Sequence, residues 1–121
     1  MMKYTKRANI ESCKGNDKGF IYVLVDLEES SKWDYLDWSG SKDAHLRKNV
    51  KYIGVTSNPV ERFCDHRCDK TKSKKIGMVI FDEANHPAEG KAKEAEAIWQ
   101  YIQKFGNGPK YQKGETTWAG A

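Results

Sequence analysis

The stretch VKYIGVTSNPVERFCDH, residues 50–66, constrains the architecture of this chain more than any other. Its first seven residues are rich in β-branched and aromatic side chains and read as a strand. Asn58 and Pro59 then change the backbone. Asn accepts a hydrogen bond from an early helical N–H, and Pro suits the first helical position, where its missing N–H costs nothing. Glu61 follows Asn58 by three residues, as in a capping box. The spacing predicts a helix running to about Asp69. A strand that feeds straight into a helix implies a fold in which helix packs on sheet.

The remaining sequence fits that architecture. GFIYVLVDL (19–27) reads as another strand. Ile21, Val23, Val25 and Leu27 share one face, and Phe20, Tyr22, Leu24 and Asp26 the other. KIGMVIFD (75–82) reads as a third strand and EANHP (83–87) as a turn. A long helix is expected from about Ala88 to Phe105, with Ala95, Ile98, Trp99 and Ile102 at helical spacing and Gly106 and Gly108 ending it. The expected fold class is α/β: a small sandwich with a short, mainly antiparallel three-stranded sheet flanked by helices. Residues 1–18 read as a polar arm, 19–113 as a single domain and 114–121 as a tail. EESSKWDYLDWSGSKDAHLRKN (28–49) interrupts the domain. It is long for a simple connection, so it is either functional or has local structure of its own.

Composition narrows the class of protein. With 38% hydrophobic and 31% charged residues in 121, the chain suits one globular domain rather than a disordered one. Lys and Arg number 21 against 17 Asp and Glu, a net charge of +4, which is compatible with a nucleic-acid partner. No apolar run reaches membrane-spanning length and the first residues lack a signal-peptide core, so the expectation is a cytoplasmic protein with no membrane partner. Cys13, Cys64 and Cys68 are expected to be free thiols, Cys64 and Cys68 being buried. A zinc site around Cys64, His66 and Cys68 would need further ligands, such as Cys13 or His45.

The same strand-to-helix junction carries the residues best suited to chemistry. Arg62 and His66 are four apart and so share a helix face. Tyr52 lies on the strand that feeds this helix, and Tyr22 on the neighbouring strand. A guanidinium matches two phosphate oxygens at once, and a phenol or imidazole beside it can move a proton. The later helix offers two carboxylates, Glu94 and Glu96. The plain alternatives are strand tyrosines that pack, an Arg–His pair on a solvated face and glutamates that serve solubility.

In order, these residues resemble the GIY-YIG nuclease superfamily. FIY (20–22), preceded by Gly19, is similar to the first signature, with Phe where the family has Gly. YIG (52–54) matches the second signature, and TSNPVERFCDH the helix that follows it. AKEAEAIWQYIQKF resembles the acidic helix of the family, and PKYQ (109–112) stands where the family often has Pro-x-x-Asn. The resemblance spans roughly residues 19–113.

It implies a metal-dependent DNA endonuclease that hydrolyses phosphodiester bonds, here as a stand-alone catalytic domain. Tyr22 and Tyr52 would surround the attacking water. Arg62 would clamp the scissile phosphate, and His66 would move a proton or hold a phosphate oxygen. Glu96 would bind Mg²⁺ or Mn²⁺, with Glu94 in reserve. Gln112 or Asn107 would take the hydrogen-bonding role of the terminal Asn. Small size and the lack of accessory domains suit a phage-encoded or mobile-element nuclease acting in a host cytoplasm. Two other functions remain open: a non-catalytic nucleic-acid-binding or assembly module on a nuclease fold, and an RNA-directed nuclease.

DNA contacts are expected from Lys72, Lys74 and Lys75 of the KTKSKK loop and from Lys110. Trp33, Tyr35 and Trp38 of the insertion would stack on bases or on the partner in a homodimer; alternatively they pack as a satellite cluster.

Overall fold

The computed structural model describes residues 18–26, 36–38, 43–69 and 76–112. A sheet of four strands lies between two helices. The strands are β1 (Gly19–Asp26), β2 (Leu36–Trp38), β3 (Val50–Thr56) and β4 (Ile76–Ala84), and the helices are α1 (Pro59–Cys68) and α2 (Pro87–Phe105). The sheet order is β2-β4-β1-β3. β1 is central and pairs antiparallel with both β3 and β4. The expected α/β class and its three antiparallel strands are present. The short β2 is an addition, parallel to β4 at one edge.

β2 comes from the interrupting segment, which does have structure of its own. After β2 the chain forms a 3-10 turn at Ala44–Leu46 before entering β3 at the opposite edge. Ala44 and His45 of that turn are buried, and Ala44 joins the core under α2. Trp33 and Tyr35 lie outside the described residues; Trp38 is placed as a strand residue paired with Ile80.

Alternation on β1 separates two cores. Ile21, Val23 and Val25 face α2 together with Ile53, Val79, Ala97, Ile98 and Tyr101. Phe20, Tyr22 and Leu24 face α1 together with Phe63, Met78 and Ile80, and Tyr52 and Val60 pack at their margin. Two bulges adjust the sheet. Phe81 is the extra residue where Ile21 pairs with Asp82 and Tyr22 with Ile80, and Lys51 is the extra residue where Leu24 pairs with Tyr52 and Val25 with Val50.

Both helices start as their sequences dictate. The Glu61 N–H donates to Asn58 Oδ1 at 3.2 Å, and Asn58 Nδ2 donates to Glu61 Oε1 at 3.0 Å. Pro59 takes the first turn, and the helix ends at Cys68. α2 repeats the device one residue earlier than the sequence suggested. The Glu89 N–H donates to His86 Nδ1, and the Asn85 N–H donates to Glu89 Oε1. That backbone hydrogen bond holds the Glu89 carboxyl below its ordinary pKa. β4 also runs two residues past Asp82, so only Asn85 and His86 turn. α2 ends at Gly106, whose φ of 91° lies in the left-handed region that glycine enters without strain.

Candidate active site

The antiparallel register sets Tyr22 opposite Gly54, and Leu24 opposite Tyr52. All four therefore project from the α1 side of the sheet. The two phenol rings converge, with centroids 6.0 Å apart. Gly54 makes this possible: a Cβ there would lie 2.7 Å from Tyr22 Oη and 2.8 Å from Tyr52 Cε2. The glycine of the YIG triplet is thus the space in which two tyrosines meet, a close-approach role rather than a turn.

α1 supplies the other half. Phe63 is buried against the sheet, and His66, one position short of a full turn further on, is carried inward with it. His66 Nε2 lies 2.8 Å from Tyr22 Oη, in a buried contact. The His66 ring also sits 5.0 Å from the Tyr52 ring, centroid to centroid. Tyr22 is 1% exposed. Burial holds its phenol well above the ordinary tyrosine pKa; Tyr52 pushes the same way, the Arg62 guanidinium pulls against it, and the Glu94 carboxylate raises it further. A phenol held protonated in this way shares a hydrogen bond with the imidazole, and the histidine tautomer sets which of the two donates.

That raised pKa has a consequence for stability. The folded value exceeds the unfolded value of about 10. Its stabilising contribution is present below the unfolded value and is lost as pH rises through the folded one. Thermal unfolding from pH 8 to 12 should therefore show a steeper alkaline loss of stability for the wild type than for Tyr22→Phe. Parallel curves would contradict the assignment.

Arg62 lies one turn before His66. Its side chain is half-exposed and forms an ion pair with Asp65, 3.9 Å away and three residues on. Such an exposed pair is worth about 0–1 kcal/mol, so the guanidinium can exchange it for a stronger anion. Its charge already acts on Tyr22.

The two glutamates part company. Residues two apart on a helix point about 200° away from each other. Glu94 is buried at 7% exposure, with Lys91 Nζ 4.0 Å from its Oε1, and its charge reaches Tyr22. Glu96 is exposed, accepts from Gln100 Nε2 at 3.4 Å, and lines a cavity with His45, Phe81 and Lys93. Glu94 is the buried one of the two and its carboxylate adds to the raised pKa of Tyr22, whereas Glu96 is exposed. The signal was present in the sequence. Gly90, Glu94, Ala97, Ile98 and Tyr101 form the buried face, whereas Trp99, expected to mark that face, is 50% exposed.

Gln112 takes an unanticipated position. Its Nε2 donates to the Ile53 carbonyl at 2.8 Å, and its Oε1 accepts from the Ile53 N–H at 2.9 Å. The Tyr111 N–H donates to the Lys51 carbonyl at 2.7 Å. One side-chain amide thus grips both backbone groups of the residue between Tyr52 and Gly54. Gln112→Ala strips both partners, at a cost of about 1–3 kcal/mol. Urea unfolding should show a loss in that range, and an unchanged midpoint would mean the contact contributes nothing.

Other expectations fare differently. Asn107 makes no such contact among those described, whereas Gln112 does. Cys64 and Cys68 are exposed free thiols, not buried ones. No group of three or more His, Cys, Asp or Glu positioned to hold a metal occurs among the described residues, so a zinc centre there has no support. His45 pairs instead with Gln100, Nε2 to Oε1 at 2.6 Å, and stacks on Phe81. Lys110 is exposed, its Nζ 5.7 Å from the Tyr111 ring centroid. Lys72, Lys74, Lys75 and Cys13 lie outside the described residues. Among the described residues no helix is long and apolar enough to cross a membrane.

The fold and this cluster define a small α/β protein in which two phenols and an imidazole meet at the strand-to-helix junction, with a guanidinium on the same helix and a buried carboxylate on α2. No family model, curated protein or solved structure matches the chain.

Proposed function

We propose that the protein is a metal-dependent DNA endonuclease of the GIY-YIG type, hydrolysing phosphodiester bonds at the Tyr22–Tyr52–Arg62–His66 cluster. The observation that carries this reading is the buried 2.8 Å contact between Tyr22 Oη and His66 Nε2, beside Tyr52 and under the charges of Arg62 and Glu94. A buried phenol needs a hydrogen-bond partner, and here that partner is an imidazole, a group that can also move a proton.

The chemistry follows from that contact. A phenol with a raised pKa is a poor base while it keeps its proton. Tyr22 escapes this limit in the tautomer that leaves His66 Nε2 unprotonated: as Tyr22 Oη takes a proton from the attacking water, its own passes to His66 Nε2. The two transfers leave a neutral phenol and an imidazolium, so no phenolate accumulates in the buried site. Tyr52, packed against both rings, orients the water from the strand side. Arg62 binds the scissile phosphate through its planar fork and meets the charge that builds on the phosphorane oxygens.

The donor set also fits a divalent cation of the hard type. Mg²⁺ is commonly held by one or two carboxylates, the remaining positions going to water and substrate oxygens, so one buried carboxylate suffices. Glu94 would hold Mg²⁺ or Mn²⁺, in place of Glu96. Bound there, the cation would polarise the phosphate and stabilise the leaving oxygen.

Incubation with supercoiled plasmid, linear duplex, single strand and RNA, each with Mg²⁺ and with EDTA, tests the proposal. Metal-dependent cleavage of DNA is expected. Cleavage of RNA alone would transfer the mechanism to an RNA substrate, and no cleavage of any substrate would overturn it.

A further inference from the structure

A second feature lies beside the cluster, on the α2 side of the same sheet edge. A cavity of about 210 Å³ opens between the start of α2 and the ends of β1 and β3. Its apolar lining is Gly19, Val55, Pro87 and Gly90. Its polar lining is Lys18, Thr56, Ser57 and Lys91. Gly90 keeps helix and strand close, since a Cβ there would lie 3.0 Å from Val55 Cγ2.

Two links tie this cavity to the proposed catalytic residues. Lys91, on its wall, reaches Glu94 at 4.0 Å, and Gly90 stands one turn before Glu94 on the same buried face. Thr56 ends the strand that carries Tyr52, two residues after Gly54, and Ser57 is the next residue. Lys91 thus joins the cavity wall to Glu94 along α2.

We infer that this cavity is a subsite for the nucleotide flanking the scissile phosphate, taking its sugar on the apolar floor and its phosphate between Lys18 and Lys91. The chemistry of the lining selects this ligand. Two ammonium groups suit a phosphate as point charges. Two hydroxyl residues add donors that a phosphate accepts; the Thr56 oxygen already accepts from the Asn58 N–H and keeps its own O–H to give. The glycine, valine and proline surface has no polar side chain to match a bare ion, but it accommodates a sugar face. Lys18 now pairs with Glu83 Oε1 at 3.1 Å, with both side chains about two-fifths exposed, so the pair is weak enough to be exchanged. That the ligand is a nucleotide rests on the nuclease reading; the cavity and its two lysines do not.

The test is binding, without cleavage. The wild-type protein is titrated with thymidine 5′-monophosphate, with thymidine and with inorganic phosphate, and its backbone amides are followed by NMR. The nucleotide should bind about tenfold more tightly than either fragment, as expected for one charge-assisted contact added to an apolar one. The amides of Gly19, Ser57 and Gly90 should shift. Lys18→Gln should weaken nucleotide binding about fivefold to tenfold, as loss of such a contact requires, and leave thymidine unaffected.

Equal binding of nucleotide and inorganic phosphate, or an unchanged Lys18→Gln, would overturn the subsite. So would shifts confined to residues around Arg62. The two readings fail separately. Cleavage without nucleotide binding here removes the subsite alone. Lys18-dependent nucleotide binding in a protein that cleaves nothing keeps the subsite and removes the nuclease.

Discussion

Glu94→Gln should abolish metal-dependent cleavage, while Glu96→Gln should cleave at close to the wild-type rate. The two residues are near neighbours in sequence and differ in one respect that matters. Glu94 is buried on the sheet side of α2, and its charge acts on Tyr22; Glu96 is exposed and occupied with Gln100. A cation held at Glu94 would be worth several kcal/mol of transition-state stabilisation, and each ~1.4 kcal/mol is a factor of ten, so the loss should be about 10³-fold. The glutamine keeps the shape of the side chain, and Lys91, which pairs with Glu94 at 4.0 Å, is largely exposed and does not become a buried charge. Circular dichroism and DNA affinity should therefore be little changed. Single-turnover cleavage over a range of Mg²⁺ concentrations decides the matter. An inactive Glu96→Gln beside an active Glu94→Gln would move the metal to the other face of the helix and break the link to Tyr22.

The second large effect concerns Arg62. Arg62→Ala should lower kcat by about 10²–10³, the usual consequence of removing one preorganised donor from a developing oxyanion. Arg62→Lys should recover little of this, because an ammonium lacks the bidentate fork. The fold should survive both changes. α1 is started by Asn58 and Pro59 and anchored by Phe63 and His66, while Arg62 is half-exposed and pairs with Asp65 at 3.9 Å. Cleavage with saturating enzyme separates this effect from weakened binding. A near-normal rate for Arg62→Ala would make Arg62 an ordinary surface cation and would remove the phosphate clamp from the mechanism.

Much of this architecture was legible because local signals agreed with one another. Val50–Thr56 alternates as a strand, Asn58-Pro59 with Glu61 starts a helix, and Gly106 ends one. Each of these depends on residues within a few positions. The site was legible to the same extent: Tyr22, Tyr52 and His66 meet because strand register and helix spacing both bring them to one face.

What was not legible depends on partners distant in sequence. The stripe expected on α2 was Ala95, Ile98, Trp99 and Ile102; of these Ile98 is buried and Trp99 is half-exposed, and the sheet is met by Ala97, Ile98 and Tyr101. Glu96 was preferred over Glu94 on its likeness to the acidic helix of the family, and such a likeness does not report which face of the helix meets the sheet. β2 has three residues and no pattern of its own; its pairing with β4 defines it. The start of α2 escaped notice because histidine is an unusual cap, and His86 acts as one only through its ring nitrogen. The exposure of Cys64 and Cys68 follows from a helix that turns its Phe63 and His66 stripe inward.

The amide of Gln112 bears on how copies of this protein treat one another. β3 is an outer strand, and an outer strand offers unpaired N–H and C=O groups to any extended chain that drifts past. Tyr111 and Gln112 occupy three of those groups, at Lys51 and Ile53, so a glutamine and one backbone amide stand in for a missing neighbour strand. A proteolytic cut between Gly108 and Pro109 would free this cover and leave the strand bearing Tyr52 open to β-addition by a second molecule. The nicked protein should self-associate through that edge and, in doing so, bury its own YIG strand in the aggregate.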